Sequence, residues 1–138
     1  MPTATSQPIR ILIVDDHRVV REGLRMLIES EPGMRVVGDA GNRGEALALA
    51  ACDLPDLVLL DLDLGCSSGM ELLPELLSVS PKTRVVVLTG LRDTEMHAKA
   101  VVLGAVGLVM KEQAGDVLIR AIEKVHDNAE ALKASRKS

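Results

Sequence analysis

Five polar residues stand directly after short apolar runs, and their types could together bind a cation and a phosphoryl group. The five are Asp15 and Asp16 after 9–14, Asp61 after 57–60, Thr89 after 85–88 and Lys111 after 106–110. If the three carboxylates meet, two unit charges 4 Å apart repel by about 4 kcal/mol at an effective dielectric of 20. Such a cluster requires a cation or partial protonation, and its oxygens suit Mg²⁺ or Mn²⁺.

The same residue types could carry phosphoryl transfer to a carboxylate. A divalent cation neutralises charge on the phosphoryl oxygens, and the ammonium of Lys111 adds a second positive charge. The hydroxyl of Thr89 can donate a hydrogen bond to a phosphoryl oxygen, and Asp61 can act as the nucleophile because carboxylates form acyl phosphates. Gly90 follows Thr89, where it either lets a phosphoryl group approach without a side-chain clash or starts a turn.

Each residue also has a plain structural interpretation. Asp15 or Asp16 could cap a helix, Thr89 could belong to a turn, and Lys111 could be a solvated loop charge. It is the placement of all five after apolar runs that favours one shared site.

The apolar runs have the length and composition of strands buried on both faces of a parallel sheet, with a weaker second run at Val36 and Val37. Between them, apolar residues recur at helical spacing. They are Val19, Val20, Leu24, Leu27 and Ile28; Leu72, Leu73, Leu76 and Leu77; and Val117, Leu118, Ile119, Ala121, Ile122 and Val125. Gly104 is placed to end the fourth helix, and Pro55 and Pro81 precede strands three and four.

Five strand–helix units predict one α/β domain with a flavodoxin-like, three-layer (βα)5 architecture and a parallel sheet in the order 2-1-3-4-5. Right-handed crossovers then place the carboxyl ends of all strands along one edge, where ligands bind. The five polar residues should therefore meet at that edge.

The composition limits the function. A chain of 138 residues with 47% hydrophobic residues and no Phe, Tyr or Trp forms one domain whose core is aliphatic. A net charge of -4 without a long basic run argues against nucleic-acid binding by this chain alone. No apolar run approaches the roughly 18 residues of a membrane span. We expect a cytoplasmic protein with a disordered leader at 1–8, a domain at 9–128, and a tail or linker at 129–138.

Four further residues have alternative interpretations. Cys52 and Cys66 lack metal-ligand spacing and are interpreted as reduced cysteines. Cys66 is a small filler residue near the site or, alternatively, a reactive thiol. His17 is a surface residue at the start of a helix, with phosphohistidine or metal ligation as the alternatives. The Asp63 side chain faces solvent or else perturbs metal affinity and autodephosphorylation.

The motifs around the five residues, and the order in which they occur, resemble those of bacterial two-component response regulator receiver domains. The resemblance extends over residues 9–126. The motifs are "VDDH", "LLDLDLG", "VVVLTG" and "GAVGLVMK". The resemblance implies that a sensor histidine kinase phosphorylates Asp61. It also implies that Asp16 and Asp61 contact Mg²⁺ directly, with Asp15 nearby and the main-chain carbonyl of Asp63 as a further ligand.

Two longer segments, "DDHRVVREGL" and "GDAGNRGEAL", resemble the branch that carries a C-terminal LuxR/NarL-type helix-turn-helix domain. This resemblance implies DNA binding through a domain beyond the present sequence and a phosphorylation-dependent homodimer, with a free-standing receiver as the alternative. Thr89 is the expected switch residue. Leu108 stands where the family usually has Tyr or Phe, which excludes a ring-based switch. Glu112 replaces the usual proline after Lys111, so a cis bond is not expected.

Two other functions compete with this interpretation. "DLDLG" also resembles the nucleophile motif of haloacid-dehalogenase-type phosphatases, but here the acidic pair precedes the nucleophile and the chain is short for such an enzyme. A receiver-like interaction module that acts without phosphorylation is the third hypothesis, and Leu108 is the residue that favours it.

Overall fold

The computed structural model describes residues 7–63, 69–90, 94–113 and 115–137. The strands are β1 Ile9–Val14, β2 Met34–Ala40, β3 Leu57–Asp61, β4 Arg84–Thr89 and β5 Gly107–Met110. The helices are α1 Arg18–Glu29, α2 Arg43–Asp53, α3 Gly69–Val79, α4 Thr94–Val102 and α5 Asp116–Lys137, with a short 3-10 turn at Lys111–Gln113. Strands and helices alternate as predicted, although β5 begins one residue later than its apolar run.

All neighbouring strands pair in parallel, in the order β2-β1-β3-β4-β5. This confirms the predicted topology. Asp61 pairs with Leu88, and Thr89 pairs with Met110. These registers bring the ends of β3, β4 and β5 to the same edge of the sheet.

Helices cover both faces of the sheet, which gives the predicted three layers. On one face, Leu12, Val58 and Val87 pack with buried residues of α2, α3 and α4. On the other face, Ile11 and Leu59 belong to a second cluster together with residues of α1 and α5. The alternation of adjacent residues between the two clusters is the period-two geometry of a strand buried on both sides.

The helices are anchored unequally on the first of these faces. Five residues of α3 are buried, namely Gly69, Met70, Leu72, Leu73 and Leu76. Ala100 is the one buried residue of α4. Because an alanine side chain removes little apolar surface from water, hydrophobic burial holds α4 less firmly than α3.

Three valines assigned to apolar helix faces are exposed, which corrects the sequence prediction. The exposed fractions are 80% for Val19, 41% for Val20 and 45% for Val117. These residues lie in the first turns of α1 and α5. Deeper in α1, Leu24 and Ile28 are buried. Helical spacing thus identified the helices but predicted a wider contact face than the sheet provides.

The chain leaves α4 through Gly104, as predicted. Its φ of +119° lies in the region that favours glycine, and a Cβ atom there would lie 2.4 Å from Cδ1 of Leu77. At the other end of the domain, α5 continues to Lys137 without a break at the predicted 128/129 boundary. Within the described part of the chain, no helix is long and apolar enough to span a membrane.

Candidate functional site

The carboxyl ends of the strands deliver the polar residues to one edge of the sheet. Asp15 follows β1, and its amide N–H donates to the carbonyl of Ala40, 3.0 Å away. Asp61 and Thr89 are the last residues of β3 and β4, and Lys111 directly follows β5. Asp15, Asp61 and Thr89 are each fully buried. Charged and polar side chains buried in this way require a specific electrostatic partner.

Asp15, Asp16, His17 and Asp61 form the acidic group of the site. Each offers one ligand atom, and these atoms lie within 4.8 Å of one another. The amide of His17 donates to Oδ1 of Asp15 at 2.8 Å, and Nδ1 of His17 lies 2.9 Å from Oδ1 of Asp16. The His17 side chain is 64% exposed, as expected of a surface residue, but its ring belongs to the group. The position of His17 directly after two aspartates was the feature of the sequence that indicated this placement.

Three carboxylate oxygens of this group are buried without a hydrogen-bond donor. They are Oδ2 of Asp15, Oδ1 of Asp16 and Oδ2 of Asp61, and none accepts a hydrogen bond from a residue that the structure describes. The approach of Nδ1 of His17 to Oδ1 of Asp16 is an ion-pair distance and not a hydrogen bond. Leaving such atoms unsatisfied is unfavourable, whereas hard oxygen ligands are what Mg²⁺, Mn²⁺ and Ca²⁺ prefer. The residues present therefore fit a divalent cation.

Lys111 holds the other side of Asp61. Its Nζ lies 2.9 Å from Oδ1 of Asp61 and 3.8 Å from Oδ2 of Asp63. Burial by itself would lower the pKa of Lys111, but the hydrogen bond to Asp61 and the nearby charges of Asp61, Asp15 and Asp63 raise it overall. Lys111 is therefore a permanent cation at neutral pH.

The pKa of Asp61 is raised above its ordinary value, chiefly because burial disfavours the charged form. The amide of Asp63 and the ammonium of Lys111 act in the opposite direction, and the charge of Asp15 raises the pKa further. Asp61 thus carries a charge that its surroundings only partly stabilise.

The Asp63 carboxylate lies beside Lys111 and outside the acidic group. Its Oδ2 faces Lys111 and lies 3.5 Å from the amide nitrogen of Gly90. The backbone of Asp63 does contribute, because its amide donates to Oδ1 of Asp61 at 2.9 Å. Only its main-chain carbonyl stays a candidate ligand.

The remaining predicted residues surround this centre. Gly90 is exposed, and a Cβ there would lie 3.8 Å from Cδ of Lys111, an ordinary contact that does not decide between its two interpretations. Leu108 is partly buried against the α2–α4 face of the core. No peptide bond in the described ranges is cis, so Lys111 and Glu112 are joined in trans. Cys66 lies outside the described residues.

Comparison with known proteins identifies relatives of the whole domain. The family model of the response regulator receiver domain matches residues 11–123. The DNA-binding transcriptional activator DevR/DosR of Mycobacterium tuberculosis is 39% identical over 117 residues, which are 85% of this chain and 54% of that protein. The chain therefore spans about half the length of this curated relative.

Two solved structures are similar throughout. A LuxR-family two-component response regulator from Aurantimonas superposes with a TM-score of 0.83 at 36% identity, covering 88% of this chain and 87% of that one. A Burkholderia pseudomallei response regulator, described with a phosphorylated aspartic acid and a calcium ion, superposes with a TM-score of 0.77 at 29% identity, covering 94% and 75%. With its strand order and its acidic strand ends, the chain belongs to the family of response regulator receiver domains.

Proposed function

We propose that this chain is the phospho-accepting receiver domain of a transcriptional response regulator, and that Asp61 receives the phosphoryl group from a sensor histidine kinase. The observation that carries the proposal is the asymmetric environment of the buried Asp61 carboxylate. Lys111 and the amide of Asp63 bind its Oδ1, whereas its Oδ2 is buried with no hydrogen-bond donor among the described residues. One oxygen is fixed, and the other keeps its lone pairs for bonding.

The transfer itself needs few protein groups. A carboxylate oxygen of Asp61 forms a bond to phosphorus while the P–N bond of the kinase phosphohistidine breaks and the imidazole nitrogen takes the electron pair. Lys111, held 2.9 Å from Asp61, is placed to bind a phosphoryl oxygen. Thr89, at the neighbouring strand end, donates its hydroxyl to another, and Gly90 leaves room for the group. Water later attacks phosphorus, which restores the carboxylate and releases phosphate.

Asp15, Asp16 and Asp61 would hold Mg²⁺ or Mn²⁺, together with the main-chain carbonyl of Asp63. A bound divalent cation would neutralise the negative charge of the phosphoryl oxygens in the transition state. The three buried carboxylate oxygens without donors support this assignment. The related Burkholderia protein, with its phosphorylated aspartic acid and calcium ion, supports it independently.

The relatives support a transcriptional output. DevR/DosR is a DNA-binding transcriptional activator, and this chain spans 54% of its length. We propose that a DNA-binding domain follows the receiver in the whole protein, and that phosphorylation shifts Thr89 and the α4–β5–α5 face and promotes a homodimer. Leu108 lies on the β5 strand of that face without an aromatic ring, so any coupling there passes through aliphatic packing.

Intact-mass measurement after incubation with acetyl phosphate and Mg²⁺ tests the acceptor. We expect the mass to increase by one phosphoryl group in the unaltered chain and in Asp127→Asn, an exposed carboxylate of α5 that serves as a matched control. Under the same incubation, the Asp61→Asn variant should show no increase in mass. An unshifted mass of the unaltered chain, or a shift that survives Asp61→Asn, would count against Asp61.

The competing functions have their own measurements. Failure to bind Mg²⁺ at millimolar concentration would favour an interaction module that works without phosphorylation. Calorimetry or NMR is required, because the chain contains no Trp and no Tyr. Multiple-turnover hydrolysis of small phosphate esters would instead favour a phosphatase.

A further inference from the structure

One contact joins the two longer segments that mark the branch of the family. The segment "DDHRVVREGL" contains the start of α1, and "GDAGNRGEAL" contains the end of β2 and the start of α2. The guanidinium of Arg21 on α1 bridges them, since its Nε donates to Oδ1 of Asp39 on β2 at 3.1 Å. Its Nη1 donates at 2.7 Å to the main-chain carbonyl of Asp15. Arg21 thus connects β2 to Asp15, the first residue of the acidic group.

The contact between Arg21 and Asp39 is reinforced by a second arginine. The side chain of Arg21 is 18% exposed, and Arg25, one turn further along α1, binds Oδ2 of the same Asp39. The hydrogen bond from Arg25 holds the pKa of Asp39 below its usual value against the opposing effect of burial, and Arg21 adds to the lowering. Asp39 is consequently a carboxylate that orients two guanidinium groups at once.

Gly41 supplies the space in which Arg21 lies. A Cβ atom at this position would be 2.7 Å from Nη1 of Arg21 and 3.3 Å from its Cζ. The φ of Gly41 is not positive, so the need for glycine is one of space rather than backbone conformation. A side chain at this position requires the guanidinium to move from where it binds the Asp15 carbonyl.

Asp15 is therefore held by three hydrogen bonds, two to its main chain and one to its carboxylate. Its amide donates to Ala40, its carbonyl accepts from Arg21, and its Oδ1 accepts from the amide of His17. Oδ2 is the atom left facing the buried acidic group. Repulsion among Asp15, Asp16 and Asp61 would tend to open the turn after β1 when no cation is bound. The bond from Arg21 opposes that opening.

We infer that Arg21, oriented by Asp39 and accommodated by Gly41, is a positioning residue that fixes the main chain at Asp15 and so sets the affinity of the acidic group for a divalent cation. The inference rests on the proposed function in one respect, namely that the acidic group binds Mg²⁺. It adds that the two segments of the branch act together on this site.

Mg²⁺ titration of the full chain by NMR tests the inference. Arg21→Gln should weaken Mg²⁺ binding about tenfold, the lower end of the range for residues that orient metal ligands. Arg18→Gln is the matched control, because Arg18 lies on the same helix, carries the same charge, is 83% exposed and pairs only with Glu22 among the described residues. It should leave the affinity unchanged, which excludes a general effect of net charge.

Amide hydrogen exchange without metal gives a second readout of the same contact. The amide of His17, bound to Oδ1 of Asp15, should exchange faster in Arg21→Gln and at the normal rate in Arg18→Gln. If Arg21→Gln lowers only the melting temperature, leaving Mg²⁺ affinity and His17 exchange as in the control, Arg21 is merely structural and the inference is overturned.

Gly41→Ala keeps the charge of Arg21 but takes up its space, so this variant by itself should weaken Mg²⁺ binding, and that test remains if Arg21→Gln does not fold. If Arg21→Gln folds, adding Gly41→Ala to it should weaken binding no further, because both changes break one contact. If the two substitutions weaken Mg²⁺ binding additively, the inference is contradicted.

Phosphorylation of the unaltered chain is measured separately. No acyl phosphate despite Arg21-dependent Mg²⁺ binding would refute the proposed function alone. Absence of Mg²⁺ binding would refute both.

Discussion

At the scale of single residues, Asp61 is fully buried, and Nζ of Lys111 lies 2.9 Å from one of its carboxylate oxygens. Asp15, Asp61 and Lys111 were identified because polar residues that end buried strands must meet at one edge of a parallel sheet. The side chain of Asp63 was expected either to face solvent or to perturb metal affinity, and its Oδ2 lies 3.8 Å from Nζ of Lys111. Sequence spacing contains no such distance.

Asp61→Asn should stabilise the fold in the absence of divalent cations. Burial raises the pKa of Asp61, so the folded chain binds the proton more tightly than the unfolded chain does. Stability then falls as the pH rises from the unfolded value of about 3.9 through the raised folded value. At pH 7, removing the charge should increase the free energy of unfolding by about 1 to 3 kcal/mol.

Urea denaturation followed by far-UV circular dichroism at pH 7 and near pH 4 measures this effect. The difference between Asp61→Asn and the unaltered chain should shrink toward the lower pH. Glu29→Gln, at an exposed carboxylate at the end of α1, is the control and should change little. A destabilised Asp61→Asn at pH 7, or a gain independent of pH, would show that burial of this charge is not the dominant effect.

At the scale of elements, apolar spacing predicted which segments form helices but not how closely they pack. Val19 and Val117 were assigned to buried faces and are exposed, because the sheet contacts a narrower stripe of each helix. The start of α3 shows the opposite case. A Cβ atom on Gly69 would lie 2.6 Å from the carbonyl oxygen of Asp61 and 2.7 Å from Cα of Leu62. This close approach depends on tertiary structure, and the sequence shows only one glycine among many.

Alanine substitutions at two helical glycines should therefore have opposite effects. Gly69→Ala forces the start of α3 away from the end of β3 and should destabilise the fold by about 1 to 3 kcal/mol. Gly23→Ala, in the exposed middle of α1 with nothing within 4 Å of the added Cβ, should stabilise it by about 0.5 to 1 kcal/mol. Thermal denaturation of both variants checks the pair, and a stabilised Gly69→Ala would contradict the contact described for it.

At the scale of the whole molecule, the order of strands could be predicted because short βαβ units leave few topologies for a buried parallel sheet. The link from Arg21 to Asp39 was not predicted. It depends on how α1 lies across β2, and thus on the relative position of two residues 18 apart in the chain. Long-range ion pairs of this kind become visible only when the helices are seated on the sheet.

Mg²⁺ should stabilise the entire domain, because the folded chain alone assembles Asp15, Asp16 and Asp61. At a Mg²⁺ concentration ten times the dissociation constant, mass action adds about 1.4 kcal/mol. For a domain of this size that corresponds to a rise of roughly 4 °C in melting temperature. The rise should be absent in Asp16→Asn, and NaCl at equal ionic strength should not reproduce it in the unaltered chain. Equal shifts with both salts would indicate general screening of charge.

The light anchoring of α4 has a mechanical consequence. A tilt of α4 would withdraw Ala100 and the partly buried Met96 from the core, whereas a tilt of α3 would withdraw five buried residues. Moving α4 would therefore expose less apolar surface than moving α3, and a smaller difference in binding between two positions of the helix would be enough to change their populations. Such a difference would let one surface of the molecule respond to a chemical event at the strand ends while the rest of the scaffold keeps its packing.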